Sequence, residues 1–274
     1  IRWVKEQVPL AELHYLTKRA FKPLVAHHPY LTKVYTFHKK EQPLDQLIPL
    51  LQAEGYDYVL DLHKNWRTWR LRMALGVPAL SFDKLTLQKM LLTRWGIDRM
   101  PDGHLVDRYA AMVAPLGLQN DGQGLDLYLP PEAAIALEAV DPRLRPQAYI
   151  AVAVGAAHAT KRLPIEQLKR LCQWLSHHLV VLLGGPADAK MGAALAQMGD
   201  HVINACGRFG LLESASLVQR AAVVVAPDTG LMHMAAAFKR PIVSIWGSTT
   251  PALGMYPHLP AEAPAFITIE QPLS

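Results

Sequence analysis

AVVVAPDTGLMHMAAAFKRPIVSIWGSTTP, residues 222–251, is the stretch from which the fold is read. AVVVAP is an unbroken apolar run of strand length that ends at Pro227. Asp228, Thr229 and Gly230 then turn the chain into the helix GLMHMAAAF, and PIVSIWG is a second apolar strand. Strands apolar on both faces need cover on both sides, and a helix between two strands makes a crossover that leaves them parallel. The stretch is therefore one unit of a doubly wound α/β sheet.

The same alternation runs outward from it. YIAVAVG (149–155) and LVVLLGG (179–185) read as strands, PIEQLKRLCQWL (164–175) as a helix with Pro in its first turn, and 188–198 as another helix. HVINA and LESASLVQRA continue the pattern. In the first half AELHYL (11–16), KVYTF (33–37) and YVLDL (58–62) read as strands. LDQLIPLLQAEG (44–55) has Leu44, Leu47, Ile48 and Leu51 at helical spacing and Gly55 as a stop, with Pro49 weakening its first turns. Gly and Pro punctuate 119–147 (QNDGQG, LPPEAA, DPRLRPQ), which puts a domain boundary at Pro146 and gives two Rossmann-like α/β domains, 1–146 and 147–274.

The totals agree. Half of the 274 residues are hydrophobic (51%) and 19% are charged, enough apolar material for two cores and too much for a disordered chain. No run reaches the roughly 20 apolar residues of a membrane span. The opening IRWVKEQVPL shows no secretory pattern, and Cys172 and Cys206 suggest no disulfide framework, so a cytoplasmic location is expected. A net charge of +5 favours anionic partners, nucleotides, phosphorylated glycans or a membrane surface. It does not favour nucleic acid, for which no dense basic run or module signature is present.

Such sheets bind ligands at the carboxyl ends of their strands. After AVVVAP, the start of the helix offers free N–H groups and a positive dipole end to a phosphate. Thr229 caps that helix or gives its hydroxyl to the phosphate, and Gly230 allows close backbone approach. Asp228 accepts from a sugar or ribose hydroxyl or is an N-cap, and His233 faces the ligand or is a satisfied buried histidine. VGAAHATKRLP (154–164) sets Thr160, Lys161 and Arg162 just before a helix, as a diphosphate site or as a solvated basic turn. LLGGPADAK (182–190) adds Asp188, a ribose partner or an ordinary first-turn acid.

In the first half, His63 to Arg72 is basic and aromatic, and Arg67 and Arg70 share a helical face suited to a phosphate or carboxylate if it is not simply solvated. KLTLQKMLLTRWGIDRM (84–100) is cationic, with Leu87, Met90, Leu91 and Trp95 at apolar positions that serve core packing or a membrane interface. No G-x-G-x-x-G follows a strand, which speaks against a dehydrogenase.

The K-R-x-P turn, the G-G-x-x-D loop and the D-T-G-L-x-H-x-A-A-A segment, in this order, resemble glycosyltransferase family 9, the ADP-heptose:lipopolysaccharide heptosyltransferases. DLHKNWRTWRLRMALGVP (61–78) and PDGHLVDRYAAMVAPLGLQNDGQGLDLYLP (101–130) extend the likeness, which is to the branch found in Bacteroidetes. The resemblance implies a GT-B fold with two Rossmann-like domains facing a cleft, the first for the acceptor and the second for the donor. It implies inverting transfer of heptose from ADP-heptose to an anionic lipid A–inner-core acceptor, with peripheral contact with the inner membrane. It puts Thr160, Lys161, Asp188, Asp228, Thr229, Gly230, Leu231 and His233 at the donor, and Lys64, Arg67 and Arg70 at the acceptor. No D-x-D motif occurs, so no metal and no cofactor is expected. The resemblance places the general base, an Asp in a Gly-Asp turn, before Ile1, so no catalytic residue is expected within 1–274, and it marks both ends of the chain as shortened. Other readings left open are a GT-B enzyme using a different nucleotide sugar and a sugar-nucleotide-binding protein without catalysis.

Overall fold

The computed structural model describes residues 1–38, 40–41, 43–156, 158–263 and 266–270. The chain forms two compact units, Ile1–Asp121 and Gly122–Ser274. The division precedes the Pro146 boundary suggested by composition, which is corrected here. Leu125, Ile135, Leu137, Val140 and Leu144 pack on the core of the second unit, so the Gly- and Pro-rich stretch belongs to that unit rather than ending the first.

In the first unit, β1 (His14–Lys18) pairs in parallel with β2 (Lys33–Phe37), and β3 (Val59–Asp61) with β4 (Ala79–Ser81). β1 starts three residues later than AELHYL because its register begins at His14 opposite Lys33, while Ala11 N–H closes a turn on the Val8 carbonyl. Helix Leu44–Ala53 passes through Pro49 unbroken. Proline there removes one bond to the first turn, and burial of Leu47 and Leu51 against Leu71 holds the rest. Helix Trp66–Leu75 follows β3, and helix Thr86–Trp95 follows β4. Leu87, Met90 and Trp95 of the latter are exposed, so core packing is not their role, whereas Leu91 is partly covered.

The second unit holds β5 (Tyr149–Ala153), β6 (Leu179–Leu183), β7 (Val202–Asn204), β8 (Val223–Pro227), β9 (Ile242–Trp246) and β10 (Phe266–Glu270). They form one parallel sheet in the order β10-β9-β8-β5-β6-β7. Tyr149, Ala151 and Ala153 of β5 enter one core cluster, and Val152 and the following Val154 enter another. β6 alternates likewise, with Val181 and Leu183 on one face and Val180 and Leu182 on the other. Period-two alternation between two apolar layers is why these strands read as continuous hydrophobic runs. β10, unforeseen in the sequence, pairs with β9, and most of its side chains are exposed. The chain builds outward from β5 to β7, then crosses back to start β8 beside β5. That reversal is the topological switch point, where open α/β sheets bind ligands.

Candidate donor site

The loops at the switch point hold most of the donor-site residues expected from the sequence. After β5 the chain makes a single 3-10 turn, Ala159–Lys161, and after β8 it passes Asp228 into helix Gly230–Ala237. Lys161 Nζ donates to Asp228 Oδ2 at 2.5 Å, with the lysine side chain 24% and the carboxylate 9% exposed. The basic turn is thus neither solvated nor idle, and the Asp228 carboxylate is turned to Lys161. The N-cap of the helix is Thr229, extended at φ −141° and ψ 167°, and its side chain makes no capping bond. Thr229 Oγ1 is buried and has no hydrogen-bond partner among the described residues. A desolvated hydroxyl and an uncapped helix end lie side by side, an arrangement that a bound anion would satisfy.

Gly230 opens the helix, and a Cβ placed on it would meet nothing within 4 Å. Leu231 and His233 follow on the first turn. Burial lowers the His233 pKa, with Asp228 opposing that shift and Lys161 adding to it. The ring is therefore a neutral hydrogen-bonding group at neutral pH rather than a cation.

Two further contacts fix the β5 loop. Ser248 Oγ, just past β9, donates to the Thr160 carbonyl at 2.7 Å. Arg162 Nε donates to the Ala156 carbonyl at 3.1 Å, and its Nη1 lies 3.3 Å from Asp188 Oδ1. Asp188 is 5% exposed, and its Oδ2 accepts from Gly185 N–H at 2.9 Å. A Cβ on Gly155 would stand 2.1 Å from that oxygen, so the carboxylate fills the space between the β5 and β6 loops. Asp188 is thus a buried anchor of the loop that carries Lys161. Sequence reasoning missed Ser248 and the Arg162–carboxylate contact, because neither pairing follows from spacing along the chain.

In the first unit, Asn65 caps helix Trp66–Leu75 with Thr68 in a reciprocal box of 2.9 and 3.0 Å. Buried Asp61, at the end of β3, accepts from His63 N–H at 2.9 Å and Lys64 N–H at 2.7 Å, and holds Lys64 at φ 43°. Lys64, Arg67 and Arg70 are all exposed. Arg70 Nη2 donates to Asp45 Oδ1 at 2.6 Å, and the Arg67 guanidinium lies 5.7 Å from the Phe37 ring centroid. Trp66 and Trp69 stack on each other at 4.5 Å on the same helix and are both exposed.

A cavity of about 450 Å³ lies elsewhere, at the amino-terminal edge of the second sheet between Pro146 and Arg220. Two arginines line it: Arg220 donates to the Ser216 and Ile135 carbonyls, and Arg145 Nη1 to the Pro142 and Leu144 carbonyls. Among the described residues no three His, Cys, Asp or Glu side chains converge as a metal site.

Residues 45–258 match glycosyltransferase family 9 (heptosyltransferase). A lipooligosaccharide heptosyltransferase 2 of Haemophilus influenzae is 32% identical over 98 residues, 33% of this chain and 28% of that protein. The solved glycosyl transferase family 9 structure from Veillonella parvula superposes with a TM-score of 0.80 at 22% identity, covering 98% of this chain and 80% of that one. The E. coli heptosyltransferase WaaC, solved with ADP, superposes with a TM-score of 0.72 at 20% identity, covering 99% and 87%. The fold is GT-B, with Rossmann-like units, and the chain belongs to glycosyltransferase family 9.

Proposed function

We propose that the second unit binds ADP-heptose at the β5/β8 switch point and that the protein transfers the heptose to the anionic inner core of lipopolysaccharide, a lipid A–Kdo acceptor. The observation that carries the donor site is the meeting of Lys161 and Asp228 beside the uncapped end of helix Gly230–Ala237. An acceptor hydroxyl attacks the anomeric carbon, the bond from that carbon to the diphosphate oxygen breaks, and ADP leaves with inversion. The hydroxyl proton passes to a general base. Charge builds on the departing diphosphate, and Lys161 and the helix dipole stabilise it without a metal. Thr229 Oγ1 and the Gly230 and Leu231 backbone hold the phosphates, Thr160 borders the loop, and neutral His233 bonds to sugar or phosphate oxygen. Asp188 acts on the nucleotide through Arg162 and the β5 loop.

The acceptor falls to the first unit. Residues 1–121 hold 17 Lys and Arg against 12 Asp and Glu, and residues 122–274 hold 11 of each, so the whole excess of +5 lies there. Lys64, Arg67 and Arg70 present part of it to the acceptor phosphates, at the cytoplasmic face of the inner membrane. Calorimetric titration with ADP-heptose and a panel of other nucleotide sugars tests the donor. Tightest binding of ADP-heptose is expected, and tighter binding of another nucleotide sugar would overturn the assignment.

A further inference from the structure

Helix Thr86–Trp95 carries apolar side chains on two sides. None of its residues is fully buried; Leu91 and Leu92 are partly covered, while Leu87 is 60%, Met90 39% and Trp95 56% exposed, with Ile97 beyond it at 47%. Leu87, Met90 and Arg94 stand at i, i+3 and i+7 on one exposed face, while Gln88 and Lys89 are partly covered. Burial, then Arg108 and Lys84, lower the Lys89 amine, so like charges crowd the covered side. A helix made only to cover a core places its leucines inward and its lysines outward.

Charge identifies what covers this face. Lys84, Lys89, Arg94 and Arg99 stand against one acid, Asp98, between residues 84 and 99. Asp98 spends its Oδ1 on the Met100 N–H at 2.9 Å, and Asp83, just before the segment, spends its Oδ1 on the Leu85 N–H at 2.9 Å. Aliphatic side chains flanked by cations, with a tryptophan at the helix end, match the boundary of an anionic bilayer. There the leucine and methionine enter the acyl margin, the indole sits at headgroup level, and the exposed Arg94 and Arg99 extend to the phosphates. The ten-residue helix is far too short to span a bilayer and suits lying on one.

We propose that residues 84–99 form a membrane-docking segment that lays helix Thr86–Trp95 on an anionic phospholipid surface. Its biological role rests on the lipid-borne acceptor proposed above, and its chemistry does not.

The test is co-sedimentation of the full chain with phosphatidylcholine vesicles and with vesicles that also contain phosphatidylglycerol. Enrichment is expected on the anionic vesicles only, and it should fall as salt is added. Arg94→Gln with Arg99→Gln should weaken it by about 5-fold per charge removed. Leu87→Ser with Trp95→Ser should weaken it by roughly 10-fold or more. These four side chains are on the surface, and thermal melting verifies that the variants fold. Recovery of the chain in the supernatant with both vesicle types, equal binding to both, or binding untouched by the Leu87/Trp95 variant overturns the proposal. ADP affinity measured on the same preparations is independent of this result, so failure of the donor site and failure of the docking segment are told apart.

Discussion

Lys161 Nζ lies 2.5 Å from Asp228 Oδ2, joining the loop after β5 to the turn after β8 across the switch point of the sheet. The pair is largely covered, so the cost of desolvating both charges offsets much of their attraction and it adds little net stability. In the free chain the cation is already occupied, and under the proposed function an incoming diphosphate has to share Lys161 with Asp228.

From this sharing follows an asymmetry between binding and turnover. Asp228→Asn relieves the repulsion of an anion and frees Lys161, so ADP should bind at least as tightly as to the wild type. Transfer should fall by about 10-fold or more, because the carboxylate no longer orients Lys161 or accepts from a sugar hydroxyl. Calorimetry paired with a transfer assay reads both. Loss of ADP binding in a folded Asp228→Asn protein would place the carboxylate in direct support of the nucleotide instead.

Two glycines separate support from contact. Gly155→Ala drives a Cβ into the Asp188 carboxylate and should cost about 1–3 kcal/mol of stability. Gly230→Ala meets open space at the start of a helix and should leave the melting temperature unchanged or slightly raised. It should nonetheless weaken ADP binding, because the added methyl occupies the path of the phosphates to the helix end. Full ADP affinity in Gly230→Ala would move the phosphates away from that turn.

The strands of the second unit were legible because each is buried on both faces, and their apolar runs stand out between Gly- and Pro-containing turns. Lys161 and Asp228 were legible as residues following strand ends, yet their contact was not, since it depends on β8 lying beside β5. The role of Asp188 was open in the sequence because a first-turn acid and a ribose ligand look alike there, and only the packing against Gly155 shows the carboxylate turned inward. The unit boundary was misread for a related reason. Gly and Pro mark where the chain turns, and Leu137 and Leu144 between them decide which core it joins.

His233 predicts a pH effect of definite sign. Burial puts its pKa below the ordinary 6.5, so as pH falls beneath that value the unfolded chain takes up a proton that the folded one refuses. Stability should therefore decline between about pH 6.5 and the lowered value, and His233→Gln should lose less over that window. Melting temperatures of the two proteins measured across the acid range check this. Parallel curves would show that the ring takes up its proton as readily in the folded chain as in the unfolded one.

Both cysteines should be silent. Burial, with a smaller contribution from Asp188, pushes the Cys206 thiol up to about 12, and burial raises Cys172 as well. Neither carries the thiolate that alkylating reagents need. Labelling should appear only on unfolding, and rapid modification of the native chain would contradict the packing of the β7 loop.

Calorimetric titration of ADP into the wild-type chain and into Lys161→Ala tests the central claim most directly. The wild type should bind, and the folded variant should bind more weakly by about 1.5–3 kcal/mol, the worth of a hydrogen bond to a charged group. Equal ADP affinity in the two folded proteins would remove Lys161 from the site and, with it, the assignment of the switch point as the place where the nucleotide binds.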